Sequence, residues 1–219
     1  RHEINLILSE PKAPSMLARL EALGILKAIH PALPWNESLR QHLADLDVDS
    51  INPVWDLPAH SNGLDLKQTL SYLVWLGRLP EVTLRSIVSR LRCKSDLKRL
   101  LIATSKLNRA LSTLKGAPPS KVVSEVEKAP RLAIYAVYLV NPENDLREPL
   151  WKFVSAWSDV EPHTTGDDLR KMGLRPSPAY GQILTALRDA WLDGRIHSIE
   201  EEKALLEELV TQARENPPS

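Results

Sequence analysis

Proline does most to limit what this chain can fold into. The sequence holds 17 prolines and only 8 glycines in 219 residues, and the prolines recur along its whole length. A proline inside a helix removes a backbone donor and strikes the preceding turn. In the first turn it does neither harm. Between the prolines, leucine and other apolar residues recur at the three- and four-residue spacing of an amphipathic helix. The expected fold is therefore all-α, with about ten to thirteen short helices. Val122-Val123 and Ile134-Tyr135 favour strands, but they are short and flanked by helical pattern. No repeat of solenoid length is present.

Local signals place the helix ends. Asn36 and Asp65 are suited to cap helices that follow them, as are Ser15, Ser95 or Asp96, Ser120 and Ser177. Gly24 and Gly173 suit the left-handed position that stops a helix. The helix opened by Pro80 is expected to reach about Arg92, and another to span Asp145 to Asp159 after a turn at Pro142. Residues 47–63 read as a loop, and Asn216-Pro217-Pro218-Ser219 as a frayed end. A soft boundary near 160–164 divides a multi-helix bundle body, 1–160, from a small C-terminal helical tail, 161–219.

Composition excludes several classes. Hydrophobic residues make up 43% and charged residues 26%, with 28 Lys and Arg against 28 Asp and Glu, so disorder is not expected. The longest apolar run, Leu132 to Val140, is well short of the roughly 18 residues of a membrane span. Cys93 is the single cysteine, so no internal disulfide can form, and a cytoplasmic location is the natural expectation. Arg92 and Lys94 flank that cysteine and would lower its pKa, but no partner residue supports nucleophilic catalysis. The histidines form no His-Glu-x-x-His and no adjacent His-Asp, which leaves a helical metal-dependent phosphohydrolase without its ligands. No catalytic residue, resident cofactor or metal site is expected on this chain. Among the tryptophans, Trp75, Trp151 and Trp191 lie in apolar stripes. Trp35 and Trp55 sit in loop-like context and are the better surface candidates for stacking on bases.

The balanced net charge conceals a concentration. From Arg78 to Lys115 ten Lys and Arg face only Glu81 and Asp96, a local charge of +8. Such a segment on a neutral chain points to a polyanion. Arg85, Arg92, Arg99, Lys106 and Arg109 recur roughly every seven residues, so two aligned helices would set them on one face. Arg90, Lys94 and Lys98 lie among them. The ordinary fate of such charge is a solvated helix face.

Toward the C-terminus comes Thr164-Thr165-Gly166-Asp167-Asp168-Leu169-Arg170-Lys171-Met172-Gly173-Leu174-Arg175-Pro176-Ser177-Pro178-Ala179-Tyr180-Gly181. Thr165 and Asp168 have capping-box spacing. Gly181 would let the backbone approach a neighbour closely. A helix start attracts anions, and Arg170, Lys171 and Arg175 are near enough in sequence to assist a phosphate contact. Packing alone also explains the motif.

This segment, with Leu192-Asp193-Gly194-Arg195-Ile196 and the acidic helix from Glu200, resembles the C-terminal end of bacterial tRNA nucleotidyltransferases, the CCA-adding enzymes and their poly(A) polymerase relatives. Arg1-His2-Glu3-Ile4, Leu23-Gly24-Ile25-Leu26 and Ile29-His30-Pro31 resemble motifs earlier in that family. Ser177 stands where the family usually has glycine, and Tyr180-Gly181 where Ile-Gly is usual. Both ends are covered, while 35–160 agrees only in helix order and around Arg90-Leu91-Arg92.

The resemblance implies an RNA-binding body and tail, with the end of a neck at 1–10, belonging to a longer parent. The family's catalytic head carries a Gly-Gly loop and an Asp-x-Asp pair that holds magnesium at a nucleoside triphosphate. This chain has no Gly-Gly, and Asp47-Val48-Asp49 lies in a helix-end and loop region unsuited to that role. The expected partner is tRNA, held by its phosphate backbone, with no membrane contact and with homodimerisation left open. The residues expected to touch RNA are Arg85, Arg90, Arg92, Lys94, Lys98, Arg99, Lys106, Arg109, Arg170, Lys171, Arg175, Ser177 and Tyr180. A structural or dimerisation module without RNA binding, and a degenerate phosphohydrolase, are the alternatives.

Overall fold

The computed structural model describes residues 1–61, 63–141 and 144–215. The turn expected at Pro142 and the end at 216–219 lie outside them. The described residues form an all-α fold with one two-stranded ribbon, β1 (His60–Ser61) antiparallel to β2 (Leu64–Asp65). Contacts divide the chain into two compact units. One contains Arg1–Gly116 and Glu125–Ser155, the other Ala117–Ser124 and Ala156–Ser219.

The first unit opens with α1 (His2–Ser9), α2 (Ala13–Ala22), α3 (Ile25–Ile29) and α4 (Glu37–Ala44). After a 3-10 turn at Pro53–Trp55 come α5 (Leu66–Leu76), α6 (Glu81–Arg90) and α7 (Ser95–Leu114). α9 (Arg131–Val140) and α10 (Asn144–Lys152) follow α8 (Pro119–Val126) in the chain. α5 is the centre of this unit and packs against α1, α4, α7 and α9. Every residue from Thr69 to Leu76 is buried, the polar Thr69 and Ser71 included, because α5 has neighbouring helices on several sides. Its polar tips are satisfied. Tyr72 donates its hydroxyl to Asn5 Oδ1 at 2.7 Å, and Trp75 Nε1 donates to the Pro34 carbonyl at 2.7 Å.

In the second unit α11 (Gly166–Lys171), α12 (Pro178–Leu192) and α13 (Ile199–Glu215) enclose a core of Leu169, Ile183, Leu187, Leu206 and Val210. Gly173 ends the α11 turn at φ +83, where a side chain would be strained.

Several caps form as the sequence implies. Asn36 Oδ1 accepts from the Leu39 amide at 2.8 Å, and Asp65 forms a reciprocal capping box with Gln68. Others do not. α2 begins at Ala13, α7 at Ser95 and α8 at Pro119, so Ser15, Ser95, Asp96 and Ser120 fall inside first turns and cap nothing. For α2 and α8 the reason is proline, whose fixed φ belongs in the first turn and pulls the start upstream. Ser177 does occupy the position before α12, but its hydroxyl makes no capping bond.

α6 stops at Arg90 because Arg92 turns left-handed, φ 50, to begin the reversal into α7. The helix expected over 145–159 becomes α10 followed by a π-helical turn at Phe153–Trp157, with Pro149 inside α10. Trp55 is 2% exposed, packed against α9 rather than presented to solvent. A Cβ on Gly181 would meet no protein atom within 4 Å, so packing within the chain does not require glycine there.

Candidate nucleic-acid interface

α6 and α7 pack together, and their polar faces carry the basic segment. On α7 a buried stripe of Leu97, Leu100, Leu101, Leu107, Leu111 and Leu114 points inward. That leaves Arg99, Lys106 and Arg109 exposed. Glu81, in the first turn of α6, is the meeting point. Arg85 one turn later hydrogen-bonds its carboxylate, and Lys106 Nζ lies 3.8 Å away. The Arg85 bond, with Lys106 and Arg109 nearby, holds the Glu81 carboxyl below its ordinary range. Three cations thus surround one carboxylate, leaving a local surplus of positive charge.

Arg99 extends this face and pairs with Asp96. Arg99 and Lys106 also border a groove of about 380 Å³ whose floor is Ile102, Ala103, Leu107 and Ala110. Its far wall bears Lys128, bonded to Glu125 at 2.6 Å. Lys128 was missed in the sequence because it lies beyond the +8 segment, and only the fold brings it opposite α7. Lys98 is half-buried in the first turn of α7.

The remaining basic candidates of this unit gather at the other end of α6. Arg90 Nε donates to the Ile29 carbonyl at 3.0 Å, and the Arg92 carbonyl accepts from Arg1. Lys94 is exposed just before α7. Burial raises the Cys93 thiol pKa against the pull of Arg1, contrary to the activation expected from Arg92 and Lys94.

The second unit places its candidates differently. Arg170 pairs with Asp167 at 3.0 Å and Lys171 with Asp168 at 3.0 Å, each within one turn of α11. Both basic residues lie in the last turn of α11, not beside its start. Asp168 Oδ2 accepts from the Thr165 amide at 3.0 Å and from its hydroxyl at 2.7 Å, and with Lys171 these hold its pKa at about 2. One amide of that start, Thr165's, is thus taken by the protein's own carboxylate. Tyr180 donates its hydroxyl to the Leu174 carbonyl at 2.8 Å, which ties down the turn between α11 and α12. Arg175 and Ser177 are exposed on that turn.

Behind the α11 start sits a buried carboxylate that sequence reading left in a solvated acidic helix. Glu202 is 1% exposed. It accepts from the amides of His163 at 3.0 Å and Thr164 at 2.7 Å, the Thr164 hydroxyl at 2.6 Å and Trp191 Nε1 at 2.5 Å. Burial pushes its pKa up, but the donors outweigh that and hold it below the usual range.

Chemistry has little to work with. His30 Nδ1 accepts from the Ala32 amide at 3.1 Å, so the neutral ring carries its proton on Nε2, 2.9 Å from Ser86 Oγ. That tautomer cannot take a proton from the serine. Among the described residues no group of three or more His, Cys, Asp or Glu is placed to hold a metal ion, so the phosphohydrolase alternative has no observation in its favour. No helix among them is long and apolar enough to cross a membrane.

Fold and charge together define a helical module with a cationic face. Its fold is that found in CCA-adding enzymes. The chain superposes with a TM-score of 0.66 on the Thermotoga maritima CCA-adding enzyme complexed with tRNA, at 18% identity, covering 96% of this chain and 50% of that one. A CCA-adding enzyme complexed with ATP gives 0.67 at 19% identity, covering 100% and 50%. An apo form of a CCA-adding enzyme gives 0.65 at 19% identity, covering 96% and 48%. The chain thus spans about half the length of the structures it matches. No protein-family model and no curated protein sequence matches it.

Proposed function

We propose that this chain is the tRNA-holding body and tail of a tRNA nucleotidyltransferase, whose 3′-end chemistry is done by a head elsewhere in the parent. The observation that carries the reading is the cation surplus on α6 and α7, where Arg85, Lys106 and Arg109 share one carboxylate, in a fold common to CCA-adding enzymes. Double-helical RNA is recognised mainly through its backbone and shape, so guanidinium and ammonium groups along a rigid helix pair suffice. α6 supplies that rigidity by burying Leu84, Ile87 and Val88, and α7 by burying its leucine stripe. The phosphates of one strand would lie along Arg85, Arg99, Lys106 and Arg109, with Lys128 across the groove. In the parent, magnesium and a nucleoside triphosphate would be bound by the head. The fold is also compatible with a poly(A) polymerase parent, which would differ in the head and not in this grip.

Fluorescence anisotropy of labelled tRNA against the purified chain tests this. Binding is expected at low salt, to weaken as salt rises, and to be similar for tRNAs of unrelated sequence. Absence of binding at low salt would instead identify a structural or dimerisation module.

A further inference from the structure

The first unit carries a second concave site that the tRNA grip does not use. Its wall is aromatic. Tyr135 and Tyr138 lie one turn apart on α9, Trp151 comes from α10, and Trp55 ends the 3-10 turn at Pro53–Trp55. The Trp55 ring lies 4.8 Å from Tyr135, 4.9 Å from Tyr138 and 6.1 Å from Trp151, centroid to centroid. Trp55 and Tyr135 are buried and form the backing, while Tyr138 and Trp151 stay half-open. With Asp45, Asp47 and Arg147 these rings line a pocket of about 490 Å³.

The polar groups here are of mixed kind. The Arg147 guanidinium stacks on Tyr138, 4.2 Å from the ring centroid, and its Nε is closed to solvent without a hydrogen-bond partner. An atom closed to solvent is closed to a ligand as well, so only the terminal guanidinium nitrogens of this half-buried side chain are left to donate into the pocket. Asp45 Oδ1 is already engaged by Gln41 Nε2 at 2.8 Å, whereas Asp47 is exposed and, among the bonds described, its carboxylate accepts from the Asp49 amide at 3.0 Å through Oδ1. Burial and then Tyr138 raise the Tyr135 pKa, with Arg147 drawing it down and Asp47 pushing it up, so opposite charges act on one ring.

A simple cation entering this pocket meets Arg147, and a simple anion meets two carboxylates. A flat ring with donors on one edge and acceptors on the next satisfies both groups while stacking on the aromatic wall. Guanine has that pattern, with N1–H and the 2-amino group as donors and O6 and N7 as acceptors. Adenine sets a lone pair and an amine where guanine has a donor and an acceptor. We propose that the pocket between Trp55, Tyr138 and Trp151 binds the guanine base of a nucleotide, Asp47 accepting from its donor edge and Arg147 donating to its acceptors. The site goes beyond the tRNA grip and stands without it. The base can belong to an unpaired position of an RNA or to a free nucleotide.

Equilibrium dialysis of the full chain against guanosine and adenosine monophosphates tests the site. GMP is expected to bind about tenfold more tightly than AMP, the effect of one charged hydrogen bond. Asp47→Asn keeps the acceptor for Asp49 and should reduce that preference to within about twofold. Trp151→Ala, checked for helicity by circular dichroism, should weaken both nucleotides. Equal retention of the two, retention of neither, or a preference untouched by Asp47→Asn overturns the proposal. If Asp47→Asn also weakens tRNA, RNA supplies the base. If tRNA affinity is unchanged while GMP selection is lost, the ligand is a free nucleotide. Failure of tRNA to bind the unaltered chain would sink the tRNA grip alone, because the GMP measurement needs no tRNA.

Discussion

The α6–α7 pair and the α11–α12 turn are both rich in basic residues, yet they present different fields. On α6 and α7, Arg85, Lys106 and Arg109 act on the single carboxylate of Glu81. On α11, Arg170 and Lys171 each have an aspartate three residues earlier. A cation with its own neighbour one turn away is largely neutralised at a distance, and such exposed pairs contribute little to stability. A cation in surplus contributes to the long-range potential that attracts a polyanion. Counting basic residues along a sequence therefore overstates the unpaired charge of the second region. The lesson concerns balance: α11 meets each base with its own acid, whereas Arg85, Lys106 and Arg109 share one, although Arg99 on α7 is paired with Asp96 just as the α11 bases are paired.

That contrast can be broken or sharpened by substitution. The largest effect is expected from Arg85→Gln, Lys106→Gln and Arg109→Gln together, which should lower tRNA affinity about a hundredfold at moderate salt. Arg170→Gln with Lys171→Gln should change it less than about threefold. Equal losses in the two variants, read by anisotropy, would erase the distinction. For stability the order reverses toward the second unit. Glu202→Ala leaves the His163 and Thr164 amides and Trp191 Nε1 without their acceptor and should cost about 2–3 kcal/mol, seen as faster hydrogen exchange in α11 and α13. In the first unit the corresponding weak point is Gly77, where a Cβ would lie 2.4 Å from Thr104 Cγ2 and 2.3 Å from the Leu73 carbonyl oxygen. Gly77→Ala should cost about 1–3 kcal/mol in urea unfolding.

The smallest effect is a pH dependence. Asp168, with a pKa of about 2, and Glu202 are both held below their free values, so the unfolded chain takes up protons first. The stabilisation from each is complete above the ordinary carboxylate range and is lost as pH falls through its lowered folded-state value, which for Asp168 is about 2. Amide exchange in α11 followed from pH 5 downward should show the capping box loosening, and Asp168→Asn should flatten that response.

Much of this was legible where partners are close in sequence. Asn36 and Asp65 cap amides three residues on, Thr165 gives its amide and hydroxyl to Asp168 three residues on, and the leucine stripe of α7 lies within one helix. The failures share one cause, which is that the deciding partner is remote. Trp55 sits among turn residues, and only α9, eighty residues later, encloses it. Glu202 reads as one of three acidic residues at a helix start, but His163, Thr164 and Trp191 turn it into a buried anchor. Ser120 resembles a cap, whereas its amide and hydroxyl serve Asp193 at 2.9 and 2.8 Å. The +8 segment and the Glu81 and Asp96 carboxylates that cancel part of it are legible in the sequence, but the placing of Lys128 opposite α7 is not, because only the fold brings it there.

The account rests on phosphate charge being met by α6 and α7, and the salt dependence of tRNA affinity reads that directly. Each phosphate neutralised contributes nearly one unit to the slope of log affinity against log salt. The unaltered chain should show a steep slope, and the Arg85, Lys106 and Arg109 triple variant should be shallower by about two to three units. An identical slope in both, with helicity intact, would place the RNA contact on some other face and contradict the central claim.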